Sequence, residues 1–276
     1  MSVSTDPSIA LHQLTALELS PVELVDLAAK VGCSHVGIFT SLPKGIATRF
    51  PCVITPEHEA ALAERLTATG VQVNNAEVFA LREGVAIADY REGLARAARL
   101  GARVATVHVH EPGIMAGSDL LRAFADLAAE HGLRVALEFT SFSAVRSLTS
   151  ALQVLDHLQH PAVCLAIDAL HFFRNGGQTD LLQQVPTEWI GYVQLCDGLL
   201  RAPDDLYHEA VAERLVPGTG EFPLIDLLRQ LDQTVMLDIE VPRQVAQRAG
   251  MHAILRATEA VESTCNMMRQ AGWRCE

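Results

Sequence analysis

The chain has 276 residues and carries 21 Lys+Arg against 33 Asp+Glu, a formal net charge of −12 with histidine neutral. Scattered cations on so acidic a chain argue against nucleic acid or an anionic membrane as partner, because phosphate binding needs clustered positive charge. With 49% hydrophobic and 20% charged residues the chain is not disordered, and it is long enough to bury the core of one large α/β barrel.

Short apolar runs of strand length alternate with amphipathic stretches of helix length from one end to the other. The strands are predicted at 8–14, 35–39, 71–75, 104–110, 134–139, 163–168, 190–195 and 235–240. Helices are predicted between them at 21–31 with Ser20 as cap, 56–69 with Thr55 as cap and Gly70 as stop, and 85–100 before Gly101. Further helices are predicted at 118–131 before Gly132, then at 143–158, 179–185, 224–231 and 243–269. Eight such units predict an α/β chain folded as a single (β/α)8 TIM barrel, with residues 1–276 in one domain. The long irregular stretches, 39–56 and 197–224, both follow a strand, where a barrel carries its functional loops.

The cysteines Cys33, Cys52, Cys164, Cys196, Cys265 and Cys275 form no Cys-x-x-Cys pair, and several sit in apolar runs. They read as reduced core thiols rather than a disulfide framework or a zinc knuckle. The N-terminus shows no cationic region followed by an apolar stretch, and no run approaches the ~18 apolar residues of a membrane span, so the expected location is cytoplasmic.

Four strands in a row end in a carboxylate or an amide: Glu138, Asp168, Gln194 and Glu240. Side chains alternate along a strand, so Val135, Leu137 and Phe139 share one face, while Ala136 and Glu138 share the other. The same split separates Leu165 and Ile167 from Cys164, Ala166 and Asp168, and Leu237 and Ile239 from Met236, Asp238 and Glu240. The continuous apolar face should meet the helices, which turns the small and polar face inward and gathers the four strand ends at the C-terminal mouth. Three carboxylates in one apolar mouth either shift upward in pKa or recruit a cation. Three carboxylate oxygens and one amide oxygen are hard donors, suited to Mn²⁺ or Mg²⁺ more than to zinc.

Histidines gather at the same end. His171 follows Asp168 by three residues, His108 and His110 share a face of the fourth strand, and His12 closes the polar face of the first; His35 and His252 read as structural or surface groups. After the seventh strand, the run from Glu213 to Glu221 holds a Pro-Gly-x-Gly turn that brings backbone amides near a ligand, and Arg214 can present a bidentate fork to an anionic or hydroxylated group. Arg49, Arg201 and His208 lie in the loops expected to close the mouth.

The spacing Glu138 … Asp168-x-x-His171 … Gln194-Leu-Cys-Asp197 … Arg214-x-x-Pro-Gly-x-Gly220 … Glu240-Val-Pro242 resembles the xylose isomerase-like TIM-barrel superfamily of sugar phosphate isomerases and epimerases. The resemblance implies that Glu138, Asp168, Gln194 and Glu240 hold one divalent metal, commonly Mn²⁺, with Mg²⁺ or Co²⁺ also suited. It implies further that Glu138 and Glu240 exchange the substrate proton and that His171 and Arg214 contact substrate, while His108, His110 and His12, aimed into the same mouth by their strand positions, are expected to bind substrate. This chain has Gln194 where the relatives usually carry a histidine ligand, and Ala144 where ketose 3-epimerases carry a second glutamate.

The function expected from this pattern is a divalent-metal-dependent isomerase or epimerase that removes a proton next to a carbonyl in a sugar-like keto or polyol substrate. The alternative is a metal-dependent lyase or dehydratase, as in the inosose and dehydroshikimate dehydratases of the same superfamily. A third reading is a metal-binding barrel without catalysis. The expected partner is a small polyhydroxylated molecule, with no nucleic acid or membrane, and a homo-oligomer is compatible with the apolar outer helices of such barrels.

Overall fold

The computed structural model describes residues 8–41, 51, 54–111 and 113–275. Eight parallel strands pair in chain order and the last pairs with the first, closing a TIM barrel. They are β1 (Ile9–His12), β2 (His35–Phe39), β3 (Gln72–Leu81), β4 (Val104–Val109), β5 (Arg134–Glu138), β6 (Val163–Asp168), β7 (Ile190–Leu195) and β8 (Met236–Ile239). Between and after them lie α1 (Pro21–Lys30), α2 (Pro56–Thr69), α3 (Arg91–Arg99), α4 (Ile114–Ala129), α5 (Leu148–Leu158) and α6 (Ala169–Arg174). The last four helices are α7 (Leu206–Ala212), α8 (Leu224–Arg229), α9 (Gln244–Arg248) and α10 (Ala253–Gln270). Among the described residues no helix is long and apolar enough to cross a membrane.

Local chemistry sets the helix ends. Ser20 Oγ accepts from the Glu23 N–H and the Glu23 carboxylate accepts from the Ser20 N–H, a reciprocal pair that starts α1. Gly70, at φ 76°, ends α2 in the left-handed region that side chains avoid. The predicted helix at 243–269 is two helices, because Gly250 at φ 89° breaks the run between α9 and α10. The stretch predicted at 85–100 opens as a 3-10 turn, Ile87–Tyr90, before α3, and the one at 179–185 is a 3-10 turn, Thr179–Gln184.

Strand alternation divides the interior as expected. Val135, Leu137, Leu165, Ile167, Leu237 and Ile239 join the large apolar layer under the helices. Ala10, Val104, Ala136, Cys164, Ala166, Tyr192 and Met236 form a separate cluster that plugs the barrel. Each fully buried large apolar side chain contributes about 1.5–3 kcal/mol, so both layers favour this facing and oppose a one-residue slip. The plug leaves only the C-terminal mouth for polar groups, as the barrel architecture requires.

One cysteine reading is corrected. Cys265 on α10 and Cys275 in the tail form a disulfide, with Cα atoms 5.6 Å apart, because the chain reverses at Gly272 (φ 87°) and brings the tail back alongside the helix. Cys33, Cys164 and Cys196 are free and buried, as expected of core thiols, while Cys52 lies outside the described residues.

Candidate active site

The strand ends carry two histidine–carboxylate groups. In the first, ligand-capable atoms of Glu138 (β5), Asp168 (β6) and His171 (α6) all lie within 4.8 Å of one another. Asp168 Oδ1 accepts the His171 N–H at 3.1 Å, which starts α6 directly at the end of β6 and fixes His171 over the mouth. Glu138 Oε2 lies 2.7 Å from His108 Nε2. The Ser141 N–H donates to His171 Nδ1 at 3.4 Å, so the ring proton of the neutral imidazole sits on Nε2.

Arg214 joins this group to Glu240. Its Nη1 donates to Asp168 Oδ2 at 2.6 Å, its Nη2 to Glu240 Oε1 at 3.3 Å and its Nε to the Ala210 carbonyl at 2.8 Å. The guanidinium is only 4% exposed, so its charge acts on both carboxylates with little screening. The loop that delivers it is tied to one acid. Asp197 accepts backbone N–H groups from Gly198, Gly218, Gly220 and Phe222 at 2.8–3.1 Å, and its own backbone pairs with Leu215, the residue after Arg214. A Cβ at Gly220 would stand 2.4 Å from Asp197 Oδ1, which explains the second glycine of the Pro-Gly-x-Gly turn.

The second group lies on β1, β3 and β8: ligand-capable atoms of His12, Glu77 and Asp238 also fall within 4.8 Å of one another, and all three residues are buried. His12 Nε2 is 3.0 Å from Glu77 Oε2, and His12 Nδ1 is 3.7 Å from Glu240 Oε1. Glu77 Oε1 accepts from the Tyr192 hydroxyl at 2.9 Å and from Asn75 Nδ2 at 2.5 Å, and Tyr192 is also bonded to Thr106 at 2.8 Å. Leu14 N lies 3.2 Å from His12 Nδ1 and donates to the neutral ring; protonation exchanges that contact for Glu240.

Electrostatics follow from burial and from these partners. Burial opposes the charge of Asp168, but the Arg214 guanidinium outweighs it and holds the carboxyl below its usual range. Burial pushes Glu240 well up and Asp238 to about 7. Burial disfavours protonated His12, yet the charges of Glu77 and Glu240 prevail and raise it to about 10. His108 is also raised, Glu138 overcoming the effect of burial, whereas burial lowers His110 and His171.

The four expected metal ligands are therefore distributed around Arg214. Glu138 and Asp168 lie on one side with His171, and Glu240 lies across the guanidinium beside His12. His110 stands beside His108, ring centroids 6.0 Å apart, and His12 has no exposed surface. Arg201 and His208 are exposed, and Arg49 lies outside the described residues. The donor chemistry fits a divalent cation. Gln194 Oε1 and Glu240 Oε2 are buried without a hydrogen-bond partner among the described residues, Gln194 standing opposite Asp168 in the β6–β7 register and Glu240 joined to Asp168 through Arg214. Buried acceptors left unpaired cost about 1–3 kcal/mol each, a cost that a bound cation would offset.

Sequence reasoning missed Glu77, Asn75 and Tyr192. The predicted third strand stops at residue 75, two short of the glutamate, while β3 runs to Leu81 with register shifts on both sides of Glu77. Those shifts break the period-2 signal that located the other acids.

A family model described as xylose isomerase-like TIM barrel matches residues 25–270. Among solved structures, an IolI protein described with a bound zinc atom superposes with a TM-score of 0.78 at 19% identity, over 96% of this chain and 99% of that one. A D-allulose 3-epimerase from Methylomonas sp. in complex with D-allulose gives a TM-score of 0.69 at 15% identity, over 97% and 99% of the two chains. A probable 3-DHS dehydratase, AsbF from Bacillus anthracis, gives 0.69 at 16% identity, over 93% and 98%. The comparison with curated protein sequences gave no match.

Proposed function

The chain belongs to the xylose isomerase-like TIM barrel family, and from that premise we propose that it is a divalent-metal-dependent isomerase or epimerase of a sugar-like keto or polyol substrate. The observation that supports this reading is the buried Glu138–Asp168 pair, whose ligand-capable oxygens lie within 4.8 Å of each other, with the unpartnered oxygens Gln194 Oε1 opposite Asp168 in the sheet and Glu240 Oε2 across Arg214. These four side chains would hold the ion, and their all-oxygen character favours Mn²⁺, with Mg²⁺ or Co²⁺ as substitutes. A bound ion supplies Lewis acidity toward a carbonyl oxygen and lets a buried Glu240 ionise.

The residues of the chain supply the rest. His108 Nε2 donates to Glu138 Oε2, which leaves Glu138 Oε1 to take the proton from the carbon next to the carbonyl. Glu240 stands across Arg214 and returns a proton from the other side, the arrangement that inverts a centre. With Nδ1 engaged by the Ser141 N–H, His171 offers its Nε2–H to a substrate hydroxyl. Arg214 is locked by Asp168 and Glu240, so its main effect is to hold those two carboxylates in place.

One observation favours a dehydratase as the second reading. Glu138 raises the affinity of His108 for a proton that it could deliver to a departing hydroxyl, while Ala144 stands where ketose 3-epimerases have their second glutamate. Incubation with ketoses and inososes in D₂O, followed by NMR, separates the two. Deuterium in a recovered epimer supports isomerisation, and an enone supports elimination. Glu240→Gln should abolish either outcome. Turnover that survives both this substitution and exhaustive EDTA treatment would refute the proposal.

A further inference from the structure

The group formed by His12, Glu77 and Asp238 is outside the proposed four-oxygen ligand set, and its chemistry is that of a ligand site. Neither oxygen of Asp238, which is 0% exposed, has a hydrogen-bond partner among the described residues, and His12 Nε2 reaches only Glu77 Oε2, at 3.0 Å. The unpaired carboxylate of Asp238 thus belongs to a buried group in which one ligand-capable atom each of His12, Glu77 and Asp238 lies within 4.8 Å of the other two. Neutral packing would not retain them, since each unpaired group costs free energy that an apolar side chain avoids.

The surroundings are arranged as around a bound ion. Tyr192 and Asn75 both donate to Glu77 Oε1, which fixes that carboxylate and turns Oε2 toward His12. Gly37 on β2 leaves room here, since a Cβ there would stand 2.5 Å from His12 Cδ2 and 2.9 Å from Asp238 Oδ2, while Phe39 of the same strand packs edge-on to the His12 ring. His12 Nδ1 accepts the Leu14 N–H at 3.2 Å in the structure, so ligation through Nε2 would require the ring proton to move to Nδ1, where Glu240 Oε1, 3.7 Å away, is the carboxylate that could approach it. We propose that His12 Nε2, Glu77 Oε2 and Asp238 form a second divalent-cation site below the mouth. One imidazole nitrogen with two carboxylates suits Zn²⁺ better than the all-oxygen set of the mouth does.

The test uses Zn²⁺ as the probe. Protein stripped with chelator and dialysed against Zn²⁺ should hold two ions per chain by elemental analysis. Asp238→Asn and His12→Gln should each reduce this to one, and Glu138→Gln should also leave one. Anomalous diffraction from the zinc-loaded wild type should show a peak within ~2.3 Å of His12 Nε2, apart from any peak between Glu138 and Asp168. Absence of the His12 peak in the wild type overturns the proposal whatever the variants do, and so does zinc content unchanged in both Asp238→Asn and His12→Gln. Loss of the Glu138 peak alone would refute the proposed catalytic ion and leave this site standing.

Discussion

The two histidine–carboxylate groups at the barrel mouth use similar side chains but balance their charge differently. Asp168 has a permanent cation beside it, the buried Arg214, whose loop is clamped by Asp197, and Glu138 pairs with His108. Glu77 and Asp238 depend on histidines, His12 foremost, whose charge varies with pH. The first group is compensated by the fold itself, and the second by a proton or an ion taken from solution. Two acid clusters in one cavity can therefore respond in opposite ways to the same change of conditions.

Removing the permanent cation should have the largest effect. Arg214→Met leaves Asp168 and Glu240 buried and unpaired, and should lower the stability of metal-free protein by about 3–5 kcal/mol in urea denaturation at pH 7. Arg214→Lys should recover part of this, because a single ammonium cannot span both carboxylates. A loss below ~1 kcal/mol for Arg214→Met would mean that the two groups are balanced alike.

The pH dependence sharpens the comparison. Asp238 is raised from 3.8 to about 7 by burial, so the folded chain keeps its proton where the unfolded chain has lost it. Stability from this group is fully present below the unfolded value and falls as pH rises toward 7. His171 is lowered below 6.5 by burial, so its contribution is present above that value and falls as the solution is acidified. In metal-free protein Asp238→Asn should remove the alkaline loss, worth up to about 1.4 kcal/mol per pH unit, and His171→Gln should remove the acidic one. Parallel stability curves for wild type and Asp238→Asn from pH 4 to 8 would contradict the distinction.

The first group is legible in the sequence and the second only through His12 and the inward face of Asp238, for a physical reason. Regular strands carry acids in phase with their apolar neighbours, so Glu138 and Asp168 stand out at the ends of clean alternations in β5 and β6. Asp238 obeys the same rule, and its face was assigned correctly, but its partners could not be inferred. β3 shifts register on both sides of Glu77, and the contact between Glu77 and Tyr192 spans 115 residues. Helix boundaries failed similarly at short elements. α6 depends on the Asp168 cap, and α7 is a seven-residue segment inside a stretch that composition marks as loop. The Cys265–Cys275 pair left no trace because only the reversal of the tail brings its members together.

The smallest predicted effect tests whether the second group is held in place from outside. Tyr192→Phe removes a hydroxyl that touches Glu77 and Thr106 while keeping the ring that fills the barrel plug. Stability should fall by only about 1–2 kcal/mol, since one buried donor is lost without opening a cavity. Glu77 should then rotate more freely, and zinc affinity at the His12 site should weaken by ~10-fold or more in a competition titration. The mouth site does not involve this hydroxyl, so Mn²⁺ affinity there should stay the same. Equal weakening at both sites would show that the two groups share one support, and that the contrast between them ends at Arg214.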